Sequence, residues 1–83
     1  MALGIRINGH MQQGKDALNF SFPHAGKVEF AWISRSALDL LPHDEQDSGE
    51  MIFEKNLERI EEIISARIAA GRTDFDISTS DLM

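Results

Sequence analysis

One stretch limits what this chain can fold into more than any other. Over residues 50–70, apolar side chains recur at helical spacing with no Gly or Pro between them. With Phe53 set at zero on a helical wheel, Leu57, Ile60, Ile64 and Ile68 fall within about 60° of it. A strand, with its period of two, cannot produce that ladder. Ile52 and Ile63 widen the apolar arc to roughly 160°. Glu54, Glu58, Glu61 and Glu62 take the opposite side, with Lys55 and Arg59 beyond them. Acidic residues lead and Arg67 and Arg72 close the run, an order that suits the helix dipole. Ser48 is placed to cap the start, and Gly71 to adopt a left-handed conformation after the last turn. Such a helix spans about 32 Å, whereas a globule of 83 residues has a radius of gyration of about 12 Å. The expectation is one uninterrupted helix that crosses the domain, with everything else packed along it.

Strand signals come earlier. Leu3, Ile5 and Ile7 alternate with Gly4, Arg6 and Asn8. Leu18, Phe20 and Phe22 alternate with Asn19 and Ser21, and Val28, Phe30 and Trp32 with Glu29 and Ala31. Pro23, His24, Ala25, Gly26 and Lys27 form a loop of hairpin length between the last two runs. This reading puts most of the aromatic side chains on one face, beneath the long helix. Ser34 is positioned to cap a short helix through Leu41 that turns Ala37, Leu38 and Leu41 inward, and Pro42 stops it. Phe75 and Ile77 alternate with Asp74 and Asp76 as a short final strand. Ser78 and Asp81 have the spacing of a capping box.

Composition excludes several functions. The chain has no cysteine, so thiolate catalysis, disulfides and zinc–thiolate sites are absent. Its net charge is −6, and its eight Lys and Arg residues are scattered. Nucleic acids and anionic membranes, which need clustered cations, are therefore not expected partners. Residues 1–7 are too short for a signal peptide and carry Arg6, so a cytoplasmic setting is expected. At this length a single domain, residues 1–83, is expected.

Two motifs are decoys. Gly9, Gly14 and Lys15 match a phosphate-binding loop, but Asp16 stands where Ser or Thr should hold magnesium, and a strand pattern follows instead of a helix. The acidic segment from Asp44 to Lys55 has a calcium-loop outline, but Lys55 occupies the position of the bidentate glutamate. His10, His24 and His43 are too far apart in sequence to form a local metal pair. Glu61 and Glu62 point to solvent, where the shifted pKa values of acid–base catalysis are hard to produce. No catalytic residue, metal ligand or cofactor site is assigned. Asn56 and Arg67 lie beside the apolar stripe rather than opposite it, where polar groups need partners. They either bond loop carbonyls and the chain end or line a small ligand pocket with a loop histidine.

The chain resembles a small bacterial family known only as a domain of unknown function. The likeness rests on Ile33-Ser34-x-x-Ala37-Leu38 after an aromatic strand, and on Phe53-x-x-Asn56-x-x-x-Ile60 in the long helix. It ends with Gly71-Arg72 and then Phe75-x-Ile77-x-x-x-Asp81-Leu82. Ile64 and Ile68 depart from the pattern, and the first strand and the loop after it match poorly. The resemblance implies a compact α+β domain with no assigned activity, and it transfers no catalytic residue.

The expected fold is therefore α+β in two layers, in the order β-β-β-α-α-β. A mainly antiparallel sheet of three or four strands is covered by one long helix and one short helix. The expected function is a non-enzymatic protein-interaction or regulatory domain that self-associates. An apolar arc of that width exceeds what one sheet face covers, which leaves Ile52 and Ile63 as the expected interface. The alternative is a small ligand-binding or hydrolytic domain with a pocket near Asn56 and Arg67.

Overall fold

The turn between the two aromatic strands decides which side chains share a face. In the computed structural model, which describes residues 3–8 and 16–82, strand β2 (Ala17–His24) pairs antiparallel with β3 (Lys27–Ser34). His24 lies opposite Lys27, so the connection is only Ala25 and Gly26. Both have positive φ, 53° and 76°, as a type I′ turn requires. The five-residue loop expected from the sequence is therefore a two-residue turn. That change reverses the parity of β3. Leu18, Phe20 and Phe22 lie opposite Ile33, Ala31 and Glu29, and these residues face the helices. Val28, Phe30 and Trp32 point to the other side of the sheet, away from the core where the alternation had placed them.

Strand β1 (Arg6–Ile7) pairs antiparallel with β2 on its far side, giving the order β1-β2-β3. Ser34 Oγ accepts from Ala37 N (3.1 Å) and starts helix α1 (Arg35–Leu40) as expected. Ser48 Oγ accepts from Met51 N (3.3 Å) at the start of helix α2 (Gly49–Lys55). Helix α3 (Leu57–Ala69) follows after one residue. It ends at Gly71, φ 74°, where Arg72 N bonds Arg67 O and Gly71 N bonds Ile68 O, the Schellman pattern.

The long helix is thus two helices with a joint at Asn56. Backbone bonds run from Asn56 N to Ile52 O and from Ile60 N to Asn56 O. At the joint itself φ is −114° and ψ 22°. The Asn56 side chain explains it. Its Nδ2 donates to Ile52 O (2.8 Å) and to Pro42 O (3.0 Å), competing for a backbone acceptor one turn back.

Phe20, Phe22, Phe53, Leu18, Ile33, Leu38, Ile52, Ile60, Ile64 and Ile77 are the largest fully buried side chains. Phe20 lies 5.4 Å from Phe53 and Phe22 meets Phe75 edge-on at 5.1 Å, measured between ring centroids, both within the usual range for aromatic pairs. The expected final strand is reduced to one parallel bridge between Ile77 and Ile33. Phe75 is turned into the core, and the Asp74 and Asp76 carbonyls bond Arg67 rather than β3. A single 3-10 turn (Thr79–Asp81) ends the described chain. The fold is α+β, with a three-stranded antiparallel sheet and three helices in the order β-β-β-α-α-α.

Candidate functional site

The two polar residues at the helix margin have partners. Asn56 ties the α2–α3 joint to the Pro42 carbonyl, as above. Arg67 is buried, with 5% exposure. Its guanidinium donates to Asp76 O (2.5 Å) and Asp74 O (3.5 Å) and pairs with the Asp81 carboxylate. Partial burial alone would raise the Asp81 pKa. The Ser78 amide and the Arg67 guanidinium outweigh it and hold the carboxyl below its ordinary value. Eleven residues of helix separate Asn56 from Arg67 by about 16 Å, so they do not share a pocket. The groove at Asn56 is lined by Lys55, Glu58, Arg59 and Glu62. That at Arg67 is lined by Arg59, Glu62, Ile63, Ala66, Arg72 and Asp81. Neither brings in a histidine. His43 Nδ1 contacts Leu41 O (2.5 Å), and the His24 ring packs on Phe75 at 5.9 Å.

The acidic loop is closed by Lys55, the residue that spoils its calcium outline. Lys55 Nζ lies 2.7 Å from Asp47 Oδ2 and 3.3 Å from Asp44 Oδ2. The bond to Lys55, with that to the Asp44 amide, lowers the Asp47 pKa, and the Lys55 pKa is raised in turn. The Gly9–Lys15 motif and His10 lie outside the described residues.

The expected interface pair is split. Ile52 is 1% exposed and belongs to the core, so it is not available to a partner. Its neighbour Phe53 and, on α3, Ile60 and Ile64 are buried with it. Ile63 is partly buried and packs against the core.

Exposed apolar surface lies elsewhere. Val28 and Phe30 are 60% and 64% exposed, two residues apart on β3. They project from the outer face of the sheet, opposite the helices. Register places Arg6, Ser21 and Phe30 in one row across the three strands. Ser21, on the central strand, is buried between them and contacts Asn8 Oδ1 through its hydroxyl at 3.4 Å. Asn8 Nδ2 donates to Asn19 Oδ1 (3.1 Å). The result is a trough of about 540 Å³. Small polar residues and Pro23 form its floor, Arg6 one wall, and Val28 and Phe30 the other. No acidic side chain has this parity on the described strands. The helical side carries Glu54, Glu58 and Glu62, all exposed. Alternation alone signalled both strands; what it could not signal was the turn length that puts Phe30 outside.

Among the described residues, no group of three or more metal-binding side chains occurs, and no helix is long and apolar enough to cross a membrane. Comparison of the chain with family models, curated proteins and solved structures finds no match.

Proposed function

We propose that this chain is a non-enzymatic protein-interaction domain that self-associates, and that the contact surface is the outer face of the sheet. The observation that supports it is the pairing of Val28 and Phe30, both mostly exposed, on one strand. Apolar side chains clustered inside a polar rim mark a contact surface. Charge favours the same face. Two copies of a chain with net charge −6 repel wherever their glutamates meet. Among the described strand residues, none that faces outward is a glutamate or aspartate, so two copies can approach there. A two-fold arrangement makes the patch its own complement. The family resemblance assigns no activity and adds none.

Multi-angle light scattering from micromolar to millimolar concentration tests this proposal. The wild type should gain mass toward that of a dimer as its concentration rises. Phe30→Glu should be a folded monomer, because it adds an anion to each side of the contact. Ile63→Lys, on the helical side, should remain dimeric. A monomeric wild type ends the proposal, and a dimer indifferent to Phe30→Glu moves the contact elsewhere.

A further inference from the structure

Alternate residues of an antiparallel strand turn both N–H and C=O toward the same neighbour. The bonds of β3 show which of its residues face away from β2. Ile77 N donates to Trp32 O (2.8 Å), and Ser34 N donates to Ile77 O (3.2 Å). Val28 and Phe30 share that parity. Their four backbone groups therefore point to the open edge, and among the described residues no hydrogen bond reaches them. The C-terminal segment occupies only the Trp32–Ser34 end. There Asp76 Oδ1 accepts from Trp32 N (3.0 Å), and Phe75 has already turned into the core.

We infer that this edge accepts an extended segment of another protein as an added antiparallel strand, with a lysine or arginine of that segment opposite Glu29. Strand addition needs free edge groups for affinity and side-chain neighbours for selectivity. Val28 and Phe30 supply both on the outer face. Glu29, between them, projects to the other face, is only partly buried, and has no ion pair among the described residues. The residue opposite it would form a non-hydrogen-bonded pair, the position where cross-strand side chains come closest. A second copy of this chain docked edge to edge through Val28 and Phe30 would set Glu29 against its own counterpart, which is unfavourable. The basic segment is thus the better fit at the edge, while self-association uses the face. The inference goes beyond self-association and does not depend on it.

The probe is an acetylated, amidated peptide, Thr-Val-Lys-Val-Thr, titrated into ¹⁵N-labelled protein. Its two valines would bond Val28 and Phe30 while its lysine meets Glu29. Amide shifts should centre on Val28, Glu29 and Phe30. N-methylation of both valines should abolish them. Glutamate in place of the lysine should weaken binding at least threefold, and Glu29→Lys should reverse that preference. The inference is overturned by the absence of shifts up to millimolar peptide, by shifts centred off β3, or by affinity indifferent to N-methylation or to the charge exchange. A monomeric protein that still takes the lysine peptide would overturn the self-association proposal alone.

Discussion

Arg67 is the side chain whose loss should reach furthest. It holds Asp81 and the carbonyls of Asp74 and Asp76, and these position Phe75 and Ile77 in the core. Arg67→Ala takes the ion-pair partner from a carboxylate and a donor from two carbonyls, and should cost about 3 kcal/mol in urea unfolding. Asp81→Asn tests the same clasp by pH. Because the folded-state pKa of Asp81 is lowered, its contribution is complete above the ordinary carboxyl value of about 3.9. It is lost as pH falls through the lower folded value. Asp81→Asn should therefore be less stable than wild type at pH 7, and the two stabilities should converge below about pH 4. Asn56→Ala should cost about 1 kcal/mol, since two carbonyls lose a donor. The helical wheel showed that both polar residues sit beside the core stripe. It could not show which carbonyls they reach, because Pro42 and Asp81 are brought there by tertiary packing.

Among the elements, the hairpin turn decides which side chains share a face. Ala25 takes φ 53°, a left-handed conformation that Ala adopts at a cost and Asn more readily. Ala25→Asn creates the Asn-Gly pair favoured in type I′ turns and should stabilise the protein by about 0.5–1 kcal/mol. Thermal or urea unfolding measures it. A loss of stability would show that the turn is of another type. Alternation identified both strands but not their relative phase. With residues 23–27 as the loop, Phe22 lies opposite Val28 and the four aromatic residues of the hairpin share a face. With two turn residues, Phe22 lies opposite Glu29 and the faces separate. The helices show the same limit. The period of residues 50–70 placed Phe53, Ile60 and Ile64 in the core correctly. The joint at Asn56 depends on a side-chain bond that periodicity does not record.

For the whole molecule, the consequence is an uneven surface. Exposed glutamates line α2 and α3, and the outer sheet face has Arg6, uncharged polar residues and the Val28–Phe30 ridge. Composition gave the net charge but not its segregation, which follows from strand parity. If two copies meet across an apolar face while repelling overall, salt screens the repulsion and leaves the contact intact. Sedimentation should therefore show association that strengthens between about 20 and 200 mM salt, a range over which the screening length falls severalfold. Weakening over that range would point to ion pairs at the interface.

If the outer sheet face is the contact surface, a concentration series of ¹⁵N–¹H spectra shows it residue by residue. From micromolar to millimolar protein, the shifts should move at Arg6, Asn8, Asn19, Ser21, Val28 and Phe30, while Glu54, Glu58 and Glu62 stay fixed. Spectra unchanged over the whole range, or changes confined to the helices with the sheet face silent, would contradict it.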